Sequence, residues 1–204
     1  MNNKRPKLLI ATSNPGKLHE ISAIFSNLNI NLISPNDIDL NINVAEAGSS
    51  YLENARIKAL AYQAATGLPV LADDSGLEVE PLDGAPGIYS ARFSPRDNAT
   101  DSDRRQYLLA QLENKPHPWT AQFHCTAVLA LPNDEIIVTT GTCKGVIAPE
   151  ERGTRGFGYD PVFFIPSYQA TMAELSAEIK NKISHRAKAM AAMIPHIQKK
   201  LLQA

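Results

Sequence analysis

Six residues near the start of the chain, Thr12-Ser13-Asn14-Pro15-Gly16-Lys17, combine a hydroxyl, an amide, a Pro-Gly turn and a lysine. They lie between an apolar run, Lys7 to Ala11, and a segment whose apolar residues recur at helical spacing: Leu18, Ile21, Ile24 or Phe25, Leu28. Open backbone N–H groups and the positive end of a helix dipole favour an anion at such a junction. Taken alone, the segment serves equally well as a plain structural turn.

A second group with chemical capacity is Asp73-Asp74-Ser75-Gly76, which follows the short apolar run Pro69 to Ala72. Read as a turn at the C-terminal end of a strand, it lies where α/β sheets bind ligands. Its two carboxylates then supply a hard oxygen ligand for Mg²⁺ and a general base, with Glu46 as a second acidic ligand. One aspartate of the pair is equally suited to capping N–H groups of the turn, and the sequence does not distinguish them. Lys17, Lys58 and Lys180 fall near helix starts or within helices. Each alone fits a solvated surface; beside metal-holding carboxylates they would together neutralise a triphosphate. Gly156-Phe157-Gly158-Tyr159-Asp160-Pro161 sets a ring between two glycines, placing Phe157 either against a base or in the core. Ser184-His185-Arg186 gathers donors at a helix start, suited to a carbonyl or phosphate oxygen.

Several alternatives fail on spacing. The chain has no G-x-x-x-x-G-K-[ST], no G-x-G-x-x-G and no G-x-S-x-G, so P-loop, Rossmann and serine-hydrolase readings carry no weight. The remaining histidines, His19, His117, His124 and His196, lack ligand-like spacing. Cys125 and Cys143 form no C-x-x-C pair and read as reduced, buried small residues. With 20 basic and 21 acidic residues among 204, no field of one sign points to nucleic acid or a membrane as partner. Met1 to Arg5 precede a run too short for a signal or a span, so a soluble cytoplasmic protein is expected.

The elements that must position these groups follow from periodicity. Lys7 to Ala11 and Ile30 to Ile33 read as strands. Ser50 with Glu53 forms a capping-box pattern opening a helix that ends at Gly67. Leu77 to Glu80 reads as a separate strand after the aspartate turn. Gly84 to Ser94 is irregular, and Asp101 or Ser102 caps a helix bearing Tyr107, Leu108 and Leu112. Thr120 to Leu131 and Glu135 to Ile147 read as a long hairpin, and Val162 to Ile165 as an apolar run. Ser184 caps a last helix that Pro195 should bend or end. The pattern predicts an α/β fold on a mixed sheet with flanking helices, 204 residues long enough for one domain or two small lobes sharing the sheet.

The order Ala-Thr-x-Asn-x-Gly-Lys (11–17), Glu-Asn-Ala-x-x-Lys-Ala (53–59), Ala-Asp-Asp-Ser-Gly-Leu (72–77), Gly-Ala-Pro-Gly-Ile-Tyr-Ser-Ala-Arg (84–92), Gly-Phe-Gly-Tyr-Asp-Pro (156–161) and Ile-Ser-His-Arg (183–186) resembles the inosine triphosphate pyrophosphatase family. More narrowly it resembles the bacterial branch acting on altered purine nucleoside triphosphates. The resemblance implies an elongated two-lobed α/β fold spanning residues 1–204, with the nucleotide in the cleft, and a homodimer. It implies Mg²⁺-dependent hydrolysis of ITP, dITP or XTP to the monophosphate and pyrophosphate. By motif it sets Thr12, Ser13, Asn14, Pro15, Gly16, Lys17 and Lys58 around the phosphates. Asp74 becomes proton acceptor and metal ligand, with Glu46 and Asp73 beside it, and Ser75 touches substrate. Phe157, Gly158, Tyr159, Asp160, Lys180, His185 and Arg186 hold the base and sugar. Three residues depart from the pattern: Ala45 where an acid is common, Arg155 for a glycine, and Ile179 for an acid before Lys180. A nucleotide-binding regulatory module and a pyrophosphatase for other modified nucleotides are the competing readings.

Overall fold

The computed structural model describes residues 5–203, so the reading of Met1 to Lys4 lies outside the described residues. One seven-stranded sheet runs in the order β2-β1-β3-β4-β5-β6-β7. Its strands are β1 (Lys7–Ile10), β2 (Asn31–Ile33), β3 (Val70–Val79), β4 (Thr120–Ala130), β5 (Ile136–Ile147), β6 (Phe163–Ile165) and β7 (Ala170–Thr171). β1 pairs parallel with β2 and β3, whereas β6 pairs antiparallel with β5 and β7, so the sheet is mixed. The helices are α1 (Pro15–Ile24), α2 (Tyr51–Thr66), α3 (Asp101–Leu112), α4 (Ala177–Ile183) and α5 (His185–Ile197). Among the described residues no helix is long and apolar enough to cross a membrane.

The chain divides into two compact units. The first comprises residues 1–74, 125–141 and 186–204. Its strands alternate apolar side chains between two cores, as a pleat demands. Leu8, Ile10, Leu71, Cys125 and Ala127 face one way, onto Ile21 and Phe25 of α1 and Ala189, Met190 and Met193 of α5. Leu9, Ala11, Val70, Ala72 and Val128 face the other way, onto Ala55, Ala59 and Tyr62 of α2. The second unit, residues 75–124 and 142–185, has one core. In it Leu77, Val79, Phe123, Ile147 and Phe163 from the strands pack with Leu108 and Leu112 of α3.

Local chemistry explains the ends of the site-bearing helices. Asn14 caps α1 by accepting the Lys17 N–H at 3.1 Å, and Pro15 suits the first turn because it has no N–H to leave open. Ser50 caps α2, and Gly67 closes it in the left-handed region at φ 66°. The capping box is incomplete: Glu53 accepts from Ser49, both N–H and hydroxyl, rather than from Ser50. Thr100, not Asp101 or Ser102, caps α3. α5 continues past Pro195 to Ile197 and passes into a π turn over Gln198–Leu202, so the proline does not end it.

The largest departure from expectation is β3. Asp73-Asp74-Ser75-Gly76 is not a turn between two strands but the middle of a single ten-residue strand. Its turn-like composition is overridden because cations from distant segments neutralise the acids and let the backbone stay extended.

Candidate active site

Consecutive residues of a strand point to opposite faces, so Asp73 and Asp74 have different company. Asp73 follows Leu71 onto the α1 and α5 face. There its Oδ2 lies 3.1 Å from Lys17 Nζ and accepts from Arg186 Nε at 3.3 Å and Nη2 at 3.2 Å. Arg186 is 2% exposed, and its Nη1 donates to Glu20 at 2.6 Å. The Cys125 thiol donates to the same Asp73 oxygen at 3.8 Å. Burial alone would raise the Asp73 carboxyl, but Lys17 and Arg186 outweigh it and hold it well below the usual carboxylate range. Burial likewise opposes the charge on Arg186, and Asp73 and Glu20 more than restore it.

Asp74 follows Ala72 onto the α2 face. Its Oδ1 lies 3.6 Å from Lys58 Nζ, and its Oδ2 accepts from Asn54 Nδ2 at 3.2 Å. Lys58 also pairs with Glu46 at 2.8 Å, so two carboxylates converge on one ammonium. Burial raises the Asp74 carboxyl and prevails over the pull of Lys58 and Lys17, with the neighbouring charge of Glu46 adding to the rise. Lys58 is pushed down by burial and raised, on balance, by Asp73, Asp74 and Glu46. Two adjacent residues of one type are therefore driven in opposite directions, which is a mark of functional carboxylates.

The turn before α1 presents exposed Ser13, Asn14 and Pro15 and half-buried Thr12, Gly16 and Lys17. The Asn14 N–H donates to Thr12 Oγ1 at 3.1 Å, which shapes the turn ahead of the helix N-terminus. The structure thus brings Lys17, Lys58, Glu46, Asp73 and Asp74 together in the first unit.

In the second unit, Phe157, Gly158, Tyr159, Asp160 and Lys180 form one constellation. Gly156 and Gly158 both adopt left-handed backbone, at φ 76° and 61°, and a Cβ on Gly156 would collide with the Asp160 carboxylate. Asp160 accepts the Phe157 N–H at 2.9 Å and pairs with Lys180, whose Nζ lies 4.8 Å from the Phe157 ring centroid. The Gly158 N–H donates to Asp101 Oδ2 at 2.7 Å, and Arg105 donates to the Gly158 carbonyl at 2.8 Å. The Tyr159 hydroxyl, its pKa raised by burial, donates to the Ser90 carbonyl at 2.9 Å. Asp160 and Tyr159 are buried and shape the loop, leaving the half-buried Phe157 as its accessible ring. His185 stacks on Phe123 at 4.6 Å, with the rings 14° from parallel. Ser75, half-buried on β3, also belongs to this unit. Arg155 donates to the Glu174 carbonyl at 3.0 Å, a brace that a glycine could not provide.

Arg186 lies next to His185 in sequence, and its guanidinium pairs with the buried carboxylates Glu20 and Asp73 of the first unit. Two cations, Lys17 and Arg186, converge on Asp73 Oδ2, whereas Asp74 and Glu46 share one, Lys58. Among the described residues no three His, Cys, Asp or Glu side chains gather as a ready metal cage. Sequence reasoning missed Glu20, Asn54, Asp101 and Phe123. Glu20 was within reach, since it lies three residues after Lys17 on the same helical face. Asn54 stands within the Glu-Asn-Ala motif but receives no role from spacing alone.

The Ham1 family profile matches residues 8–196. A Geobacter sulfurreducens protein named dITP/XTP pyrophosphatase is 47% identical over 192 residues, covering 94% of this chain and 96% of its own. A Listeria monocytogenes protein of the same name is 45% identical over 187 residues, with 90% and 91% covered. The Coxiella burnetii HAM1 protein structure aligns with a TM-score of 0.86 at 40% identity, covering 95% of this chain and 99% of its own. The Staphylococcus aureus Ham1 protein aligns at 0.84 and 39% identity with the same coverage.

Proposed function

The chain belongs to the Ham1 family, and on that premise we propose that it hydrolyses deaminated purine nucleoside triphosphates (ITP, dITP and XTP) to the monophosphate and pyrophosphate. It is a hydrolase of phosphoric anhydrides whose role is to clear altered purines from the nucleotide pool. The observation that carries the chemistry is the unequal pair on β3: Asp73 is held by Lys17 and Arg186, while Asp74, its carboxyl raised by burial, shares the single cation Lys58 with Glu46.

In this reading Asp74 takes the proton of a water attacking the α-phosphorus. Lys17 and Lys58 neutralise the phosphate chain and the departing pyrophosphate, and the turn at Thr12 to Gly16 offers backbone donors at the α1 N-terminus. The donor set also fits Mg²⁺, because Asp74 and Glu46 already converge on one cation, the Lys58 ammonium. Mg²⁺ takes one or two carboxylates and completes its shell with water and substrate phosphate oxygens. Asp74 and Glu46 would hold it, and when bound it would polarise phosphate oxygens.

The second unit's constellation would take the base. Phe157 stacks on it, and Lys180 and His185 supply donors suited to the 6-oxo acceptor of hypoxanthine and xanthine, where adenine presents an amino donor. Guanine shares that acceptor and is refused through its 2-amino group, whose burial without an acceptor costs about 1–3 kcal/mol. The same premise extends to a homodimer, which sedimentation would read as twice the chain mass.

The test is pyrophosphate release across ITP, dITP, XTP, GTP and ATP, with and without Mg²⁺, in ¹⁸O-labelled water. Label in the monophosphate and preference for the 6-oxo substrates lacking a 2-amino group are expected. Binding without turnover would favour the regulatory module, and label in the pyrophosphate would move the attack away from the α-phosphorus.

A further inference from the structure

Asn54 is fully buried in the second turn of α2, yet both ends of its amide are engaged outside the helix. Its Nδ2 donates to Asp74 Oδ2 at 3.2 Å, and its Oδ1 accepts the Gly48 N–H at 2.8 Å. Residues 40–49 carry no regular structure, so the place of Glu46 depends on what anchors that segment. Glu53 ties Ser49 to the first turn of α2, through the Ser49 N–H at 2.6 Å and hydroxyl at 2.8 Å. Asn54 does something different, joining the segment to β3 through Asp74 itself.

Gly48 completes the join. A Cβ there would meet Asn54 Oδ1 and Glu53 Cβ at 2.7 Å each and the Asn54 backbone nitrogen at 3.0 Å, closer than side chains tolerate. The glycine is required by close approach, and that approach is what sets Glu46 and Asp74 around one ammonium.

We infer that Asn54 is a positioning residue: it docks the Glu46-bearing segment onto Asp74, so that the two carboxylates form one cation-binding pair. The inference rests on the reading of Glu46 and Asp74 as cation ligands. An asparagine suits the task because it offers a donor and an acceptor on one rigid plane. Partners one step behind a metal's own ligands are commonly worth about 10–100-fold in metal affinity.

Two readouts on the nucleotide-free protein test it: hydrogen exchange in peptides covering residues 45–49, and Mn²⁺ affinity from the electron-paramagnetic signal of the free ion. Asn54→Ala should speed exchange at Gly48 and weaken Mn²⁺ binding roughly tenfold or more. Gly48→Ala should do the same with Asn54 and all carboxylates intact, which guards against a variant that merely misfolds. The double variant should fall no further than either single one, as expected of one shared interaction. Glu53→Ala should free Ser49 while leaving Mn²⁺ affinity within about twofold, because it loosens the segment without touching Asp74. Unchanged exchange in Asn54→Ala would overturn the docking, as would unchanged Mn²⁺ affinity where Glu46→Gln lowers it. If neither Glu46→Gln nor Asp74→Asn weakens Mn²⁺ binding, the cation reading itself fails; faster Gly48 exchange in Asn54→Ala would then still support the docking.

Discussion

Replacing either aspartate of β3 by asparagine removes one negative charge and almost no volume, yet the two variants should fail in opposite ways. Asp73 is buried against Lys17 at 3.1 Å and Arg186 at 3.2 Å. At an effective dielectric near 20 each contact is worth about 5 kcal/mol of gross attraction, much of it offset by desolvation. Asparagine would leave the buried Arg186 and the half-buried Lys17 without the carboxylate on which both converge. Removing one partner of such a network typically costs about 3–5 kcal/mol, a large share of a typical domain's stability. For a chain of this size that corresponds to a melting temperature lower by about 6–20 °C. Asp74→Asn should leave the melting temperature within a few degrees, because burial already disfavours the Asp74 charge and Asn54 can still reach the side chain. It should instead lower kcat by about 10²–10⁴-fold through loss of the general base. Calorimetry and pyrophosphate release on both proteins give the comparison. The acid limb adds a check of sign. A carboxyl held below its usual pKa stabilises the fold at higher pH, and the benefit disappears as pH falls below about 3.8 toward the folded value. Wild type should lose that component on acidification, and Asp73→Asn should have none to lose. Equal melting temperatures for the two variants, or full turnover in Asp74→Asn, would refute the division between them.

Two further outcomes follow from the second unit and from Cys125. Phe157→Ala should lower kcat/KM for ITP and ATP by the same factor, about 5–150-fold, since stacking does not sense the 6-substituent; steady-state kinetics on both nucleotides would expose any unequal loss. Cys125 is fully buried and its thiol is pushed far up, first by burial and then by Asp73, so iodoacetamide should alkylate it only as fast as the protein opens, by mass spectrometry of the Cys125 peptide.

Much of this was legible because local signals agreed with the global fold. The shift from an apolar run to helical spacing across Thr12 to Lys17 marked β1, its turn and α1, since strand and helix periodicities are set by backbone geometry. Ser50 and Gly67 marked α2 because caps answer open backbone groups at the ends themselves. β3 was illegible for the opposite reason. Asp-Asp-Ser-Gly has turn composition, and what keeps it extended comes from Lys17, Lys58 and Arg186, up to 113 positions away. The partners of Arg186 were illegible for the same reason: beside His185 in sequence, it answers carboxylates on α1 and β3. α4 has only seven residues and little apolar rhythm, so Lys180 could be singled out while the short helix holding it could not be bounded. The loop around Phe157 was legible in its glycines but not in its anchors, since Asp101 and Arg105 look like ordinary polar positions of α3.

The charges of the first unit explain why two neighbouring aspartates are useful. On the Asp73 side, Lys17 and Arg186 balance Asp73 and Glu20, so that side is neutral as folded. It adds the N-terminus of α1, which prefers an anion. On the Asp74 side, one cation, Lys58, faces two carboxylates, Asp74 and Glu46, leaving one negative charge in excess. A triphosphate alone would be repelled there and a bare cation attracted. On the function proposed above, the complex of a triphosphate with a divalent cation would satisfy both sides, Lys17 and the helix end answering its phosphate oxygens and Asp74 and Glu46 its cation. The pleat of a single strand is enough to present both demands within two residues, because each carboxylate has its own contacts: Lys17 and Arg186 for Asp73, Lys58 and Asn54 for Asp74.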